Sequence, residues 1–540
     1  VTSAERRATT TQGRGLGERL RRLSLDDVWV FAAVALIALR ALLTAIPPHD
    51  FWWHMATGRL IAATGSVPTV DGFSYTRAGE PFFNQSWLAQ LLMYGLHELG
   101  GIALLVAFQA LLLAGAYGLL LRLCLRRTGA VRLSAGFIMA ATMPASFDNW
   151  IVRPQTYALP LFVGFLYVLD RWRTDAGATG RDGLAGRWRR TGLWLLPVLG
   201  ALWVNLHGSF VLGGALVALT FAGETVERWW QARRGEAAWA SRPVGQAEDV
   251  LERAEPARRQ PLADLLLAGV LVGASWLLNP SGLAVLGYVR GLLGSSAVTR
   301  LVTEWAPPTI RDPNSLIFFL FITLGIAILA YSRRRPALSD MLLAGAFMWL
   351  GLSAVRNNIW FTAAATPLLV AQLASLRDPA HEARPFQGLP ALNTAVIGIF
   401  ALLLALALPW VKPALDLPPQ LGALIDVETP VAGVERLRAD PQRPARLFHA
   451  LGYGSYLIWA APEQKVWVDP RIELYPLEQW RDYQRLSAGE GAADLLDEYR
   501  VDGLLLSREE QAGLVEYARA RPQEWELRYE DDYSAYFVRR

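Results

Sequence analysis

At 540 residues, with 53% hydrophobic and only 19% charged side chains and a mean hydropathy of +0.24, the chain is too apolar for an ordinary soluble protein of its length. Its formal net charge of +4 and pI of about 9.2 are explained by arginines facing anionic lipid, without any nucleic acid. The single cysteine, Cys124, excludes a disulfide framework and a cysteine-based metal site, and the sequence carries neither a Gly-rich phosphate loop nor a dinucleotide fingerprint.

Basic residues Arg14, Arg19, Arg21 and Arg22 precede the first long apolar run, 27–47, which ends in Ile46, Pro47 and Pro48 with no small-residue cleavage pattern. It therefore reads as a retained membrane helix and not as a signal peptide. A long loop, 48–100, follows. Further runs of membrane-spanning character occupy 101–122, 131–148, 155–170, 192–206, 209–224, 262–278, 315–332, 339–354, 357–376 and 389–411, about eleven spans in all. Arginines cluster in alternate connections: Arg122, Arg126, Arg127 and Arg132; Arg171, Arg173, Arg187, Arg189 and Arg190; Arg228, Arg233, Arg234, Arg258 and Arg259; Arg333, Arg334 and Arg335. Because such residues resist translocation, these loops and the basic segment 1–26 are assigned to the cytoplasm, together with the charged loop 225–261. The expectation is a polytopic α-helical protein of a bacterial inner (plasma) membrane, with membrane domain 27–411 and its C-terminus outside.

From 412 to 540 the texture is that of a soluble domain. Thr429 and Pro430 form an N-cap and N1 pair opening one helix, and Ser507 with Glu510 forms a capping box for another. Residues 456–459, 466–468 and 503–506 read as short buried strands, and 525–529 with 535–538 as a closing hairpin. The prediction is a small α/β extracytoplasmic domain, so the fold class is mainly α with this α/β appendage.

Laid on that topology, the unusual polar residues gather on the outer face. His49, Asp50 and His54 follow the first helix, with Asp71, Asn84 and Gln85 in the same loop. Arg153 and Gln155 fill one outer turn, Asn205 and His207 another, and Arg356 and Asn357 a third, with Glu304 in the loop before the eighth span. The inner loops hold arginine and little else. Polar residues do gather where helices leave a membrane, and Arg-Pro or His-Gly is ordinary turn material; the asymmetry between the faces favours one shared outer site. Asp50, just beyond Pro47 and Pro48, can serve as a general base on a hydroxyl, and His54 lies one turn further along an amphipathic, aromatic-rich stretch, 51–61, suited to the lipid interface. Arg59, Arg153 and Arg356 can hold a phosphate by charge-assisted bonds. Asp469 and Arg471 follow an expected strand, where α/β modules bind ligands or where a structural salt bridge closes a turn.

The acidic residue at the outer end of the first helix, the long first loop with its interfacial helix, and the external C-terminal domain resemble the GT-C class of membrane glycosyltransferases. Within it the chain is most similar to bacterial relatives of dolichyl-phosphate-mannose protein mannosyltransferases and of lipid A aminoarabinose transferases. That resemblance implies a catalytic base at Asp50, aided by His54, and donor-phosphate or substrate contacts among Arg59, Arg153, Gln155, Asn205, His207, Glu304, Arg356 and Asn357. It implies a polyprenyl-phosphate-linked sugar as donor, membrane lipid as surroundings, and a glycan, lipid or protein acceptor. Many members carry an acidic pair where this chain has His49, Asp50 and Phe51, so no cofactor is firmly implied, and a divalent metal stays open without the support of an acidic pair. The run Gly452, Tyr453, Gly454, Ser455, Tyr456, followed by Asp469, Pro470 and Arg471, resembles the C-terminal region of bacterial membrane proteins related to the class and implies no activity. Two other readings compete: a transporter or flippase of a lipid-linked or small polar substrate, and a non-catalytic membrane assembly protein.

Overall fold

The computed structural model describes residues 23–175, 183–240, 260–294, 303–377 and 388–540. Arg14, Arg19, Arg21, Arg22, Arg258 and Arg259, and with them much of segments 1–26 and 225–261, lie outside the described residues.

A capping box opens helix α1 (Leu25–Leu43): Ser24 Oγ accepts from the Asp27 N–H, and Asp27 returns the bond to the Ser24 backbone. Chain order then gives α2 (Phe51–Thr64), α3 (Trp87–Thr128), α4 (Val131–Phe137), α5 (Pro154–Thr174), α6 (Leu184–Thr191), α7 (Leu195–Leu206) and α8 (Val211–Ala240). After these come α9 (Leu262–Ser275), α10 (Ala284–Gly294), α11 (Pro313–Tyr331), α12 (Leu338–Ser353), α13 (Asn358–Ala374) and α14 (Pro390–Ala407). Each of the eleven expected spans coincides with helix. Three stretches, Trp87–Thr128, Gly208–Arg234 and Pro390–Ala407, are long and apolar enough to cross a membrane, while others, such as Leu195–Leu206, are shorter. Helix α3 is the central post, packing against α1, α2, α5 and α13. It breaks at Gly100 and Gly101, the latter at φ +64° where a side chain would be strained, so its first part belongs to the long loop and its second to the bundle.

Two expectations about the faces are corrected. Residues 51–61 do form helix, but Phe51 to Gly58 are buried inside protein, between α3 and the C-terminal module, and do not lie along a lipid surface. The arginine-rich face also carries acids that the loop-by-loop reading missed, because they sit on helices. Arg127 pairs with Asp170 at 2.7 Å and Asp340 at 3.2 Å, Arg173 with Asp340 at 2.6 Å and Glu224 at 3.1 Å, and Arg187 with Asp264 at 2.6 Å.

The C-terminal module contains helices α15 (Val431–Ala439), α16 (Leu451–Ala460), α17 (Leu477–Ser487), α18 (Ala492–Glu498) and α19 (Ala512–Arg519), and strands β1 (Leu447–His449), β2 (Gly503–Ser507), β3 (Trp525–Glu530) and β4 (Ser534–Arg539). The sheet order is β1-β2-β4-β3, parallel between β1 and β2 and antiparallel elsewhere. Residues 503–506 and the closing hairpin are strands as expected. Residues 456–459 are instead the second half of α16: a short apolar run fits a buried helix as well as a strand. Residues 466–468 join no strand of the sheet; Val466 bridges to Ser74 of the long loop. Pro430, not Thr429, is the N-cap of α15, which begins one residue later than expected. Ser507 Oγ does accept the Glu510 N–H, but the return bond to the Ser507 N–H comes from Gln511.

Candidate functional site

Pro47 and Pro48 prevent α1 from continuing, and the chain turns directly into α2 through Asp50. Asp50 occupies the N-cap position with helical backbone angles, φ −56° and ψ −29°, and its side chain makes no capping bond. The carboxylate accepts no hydrogen bond among the described residues and is half-buried. Burial lifts its pKa above the ordinary carboxylate range and Glu304 adds to this, while Arg153, His49 and Arg356 oppose them.

His54, one turn along α2, is buried. Its Nδ1 lies 3.0 Å from the Gln90 amide nitrogen of α3, and Gln90 in turn accepts from Asn84 at 2.7 Å. A donating amide at Nδ1 leaves the proton on Nε2. Burial and then Arg153 lower the pKa of His54 to about 3, so the ring is neutral and serves as a hydrogen-bonding group.

Arg153 stands at the N-terminus of α5, buried, with its Nη1 at 2.9 and 2.6 Å from the two carboxylate oxygens of Glu304. Burial raises the pKa of Glu304, but Arg153 and Arg356 outweigh it and hold the group below its usual range. Arg356, in the turn between α12 and α13, is clasped by Gln155, whose Oε1 accepts from Nη2 at 3.3 Å and whose amide donates to the Arg356 carbonyl at 2.9 Å. The guanidinium lies 4.6 Å from the Trp305 ring centroid and has no carboxylate within salt-bridge distance among the described residues. Asp50, Arg153, Gln155, Glu304 and Arg356 thus converge from four separate connections.

His207 faces the same charges: burial first, then Arg356, Arg153 and His54, depress its pKa well below the usual imidazole range. Its Nδ1 is 2.8 Å from Ser209 Oγ. Asn205 is saturated, accepting from Trp87 at 2.8 Å and donating to the Ala201 carbonyl at 2.8 Å, and Asn357 donates to the Leu350 carbonyl at 3.3 Å; both hold helix ends. Arg59 is placed elsewhere. It donates to the carbonyls of Ile458 and Trp459 at the end of α16 and covers the Trp459 ring, the usual partnership of a cation with a helix C-terminus. Asp469 and Arg471 also lie apart, in a buried ion triad. Arg471 Nη2 is 2.6 Å from both Asp469 and Asp71, and Tyr475 donates to Asp469 at 2.7 Å, so the module is locked to the long loop.

A cavity of about 530 Å³ opens from Arg153, Glu304 and Arg356 toward Arg40 and Thr44 at the end of α1, with Asp148 and Asp312 along its wall. Sequence reasoning passed over Arg40, although a lone arginine in an apolar span is a signal in itself. It also passed over Tyr288 and Glu473, hydrogen-bonded at 3.3 Å between α10 and the module; Tyr288 stacks on Phe83 of the long loop with ring centroids 4.8 Å apart. No three His, Cys, Asp or Glu side chains converge as metal ligands among the described residues.

No family model matches the chain, and no curated protein matches it. Solved structures do. The oligosaccharyltransferase of Archaeoglobus fulgidus in its apo form superimposes with a TM-score of 0.52 at 14% identity, over 89% of this chain and 69% of that one. The same archaeal enzyme, AglB, in complex with an inhibitory peptide and a dolichol-phosphate gives 0.51 at 15% identity, over 89% and 69%. The fold is GT-C. ArnT from Cupriavidus metallidurans, bound to undecaprenyl phosphate, is similar at a TM-score of 0.46 and 13% identity, over 94% of this chain and 97% of that one. Within this fold the convergent charges occupy connections between helices, on the side of the bundle that carries the C-terminal module.

Proposed function

We propose that the chain is a membrane glycosyltransferase that moves a sugar from a polyprenyl-phosphate donor to an extracytoplasmic acceptor hydroxyl of a glycan, lipid or protein, with Asp50 as general base. On this reading 27–411 is the catalytic membrane domain, 412–540 a module outside the membrane, and the arginine-rich face the cytoplasmic one. The observation that carries it is the Asp50 carboxylate, half-buried, without a hydrogen bond among the described residues, and raised in pKa beside arginines. A carboxylate raised above its ordinary range is a stronger base toward an acceptor hydroxyl than an exposed one.

The acceptor oxygen bonds to the anomeric carbon as the bond from that carbon to the phosphate oxygen breaks. The electron pair leaves with the phosphate, and the hydroxyl proton passes to Asp50. Arg356, oriented by Gln155, offers the phosphate a guanidinium not committed to a carboxylate, and Arg153, tethered to Glu304, adds positive charge. His54, neutral and fixed by Gln90, lies one turn beyond Asp50 on α2. The dolichol-phosphate bound by the archaeal structure of the same fold supports a lipid phosphate as donor.

The test is transfer of radiolabelled sugar from a panel of polyprenyl-phosphate sugars in membranes, comparing the native chain with Asp50→Asn. A general base contributes roughly 10²–10⁴-fold, so the mutant, folded, should lose transfer on that scale. Equal transfer by both proteins would remove Asp50 from the role, and no transfer from any donor would remove the assignment.

A further inference from the structure

Asp50 lies in a turn that the C-terminal module holds on both sides. Before it, the Ile46 N–H donates to the Leu424 carbonyl and the Ile46 carbonyl accepts from Asp426, both at 2.9 Å. Gly452, in the first turn of α16, packs so closely that an added Cβ would stand 2.1 Å from the Pro48 carbonyl oxygen. After it, Trp52 meets Tyr456 edge to face at 4.9 Å, and the Trp53 N–H donates to Ser455 Oγ at 3.0 Å. Helix α16 is itself fixed to the module. Gly454 abuts the Val468 carbonyl and His449, and the Leu451 N–H donates to Tyr483 at 2.8 Å.

The Ser455 bond bears on the chemistry. The first-turn N–H groups of a helix lack partners, and an aspartate at the N-cap ordinarily accepts from the N2 or N3 N–H with its own carboxylate. Trp53 is the N3 residue of α2, and its N–H goes to Ser455, 402 positions away, while the Asp50 side chain makes no capping bond. We propose that Ser455, with Gly452 allowing the close approach, is a positioning residue: it caps α2 from the module and so leaves the Asp50 carboxylate available to the substrate. This rests on Asp50 being the base, as argued above.

In Ser455→Ala the Trp53 N–H loses its acceptor, and the nearest replacement is the Asp50 carboxylate three residues earlier. That bond would stabilise the charged form and withdraw the group from the cleft. The charged and titratable groups acting on Asp50 from its surroundings, Arg153, Glu304, His49 and Arg356, are untouched by the change.

The experiment is carbodiimide labelling of the full chain in lipid nanodiscs. The Asp50 peptide is followed by mass spectrometry across pH, since the reagent attacks the protonated carboxyl. The native chain should label Asp50 to a higher pH than an ordinary carboxyl. Ser455→Ala should shift the midpoint down and lower donor turnover several-fold at unchanged KM, and Ser455→Thr, which keeps the hydroxyl, should restore both. An unchanged midpoint in Ser455→Ala overturns the proposal. Gly452→Val should act in the same direction; where it fails to fold, the two Ser455 variants decide. Labelling needs no substrate, so it reads the position of Asp50 even if Asp50→Asn retains transfer and the base assignment fails.

Discussion

A buried arginine can be spent on structure or kept for a ligand, and its partners tell which. Arg471 is surrounded by two carboxylates, whereas Arg356 has a glutamine and an indole face. Gln155→Leu should therefore free the Arg356 side chain and raise donor KM while kcat changes less, as steady-state transfer kinetics would show. Arg356→Ala should do so more severely. Histidines give a second residue-scale expectation. In β1, His449 donates from Nδ1 to the Ala450 carbonyl at 2.9 Å and accepts the Trp467 N–H at 2.9 Å on Nε2, and burial lowers its pKa to about 4. The folded module binds the neutral ring, and the unfolded chain titrates near 6.5. Stability from this group is thus complete above about pH 6.5 and is lost as pH falls toward 4, by about 3 kcal/mol in total. Urea unfolding of the module followed by tryptophan fluorescence should show this decline, and His449→Gln should flatten it. The sequence offered Arg356 as a phosphate ligand together with Arg59 and gave His449 no role; only the approach of Gln155 to Arg356 and of a helix end to Arg59 separates the two arginines.

At the level of elements, the close contact of α2 with α3 depends on Gly58, where a Cβ would stand 2.2 Å from the Gln90 carbonyl oxygen and 2.8 Å from the Tyr94 Cβ. Gly58→Ala should cost about 1–3 kcal/mol by overpacking, lower the melting temperature and displace Gln90 from His54. The helices of the bundle were legible because each apolar run is long and bounded by arginine, proline or glycine, and Gly100 and Gly101 mark the break in α3 at the edge of the expected span. The module was less so. Gly452 to Trp459 is apolar on all sides because α16 is enclosed by the sheet, α2 and the long loop, so it carries no helical stripe. The three-residue β1 is too short to leave a pattern, and Val466 pairs with a segment almost 400 positions earlier, which local sequence cannot report.

For the molecule as a whole, the membrane bundle and the module are joined through buried charge. Removing Arg471 would leave Asp71 and Asp469 facing each other without a cation, a change that costs roughly 3–5 kcal/mol in comparable buried pairs. Arg471→Met should therefore open the junction before the bundle melts, and limited proteolysis should cut within 65–86 in the variant and not in the native chain. The candidate site follows the same pattern. Its residue types and the face they share could be read from the loops, but their sorting into a cleft, a module anchor and helix-end braces depends on contacts between parts of the chain hundreds of residues apart.

The span of 402 residues between Trp53 and Ser455 also has a meaning in time. Chains are made from the N-terminus at roughly 5–20 residues per second, so the Asp50 turn emerges on the order of 20–80 s before the residue that caps it. During that interval α2 has an open first turn and the turn around Asp50 lacks its outer wall. A chain interrupted between Arg356 and α16 would possess every charged residue of the cleft and still lack the contact that sets their geometry, which makes completion of synthesis itself a checkpoint on when the cleft becomes competent.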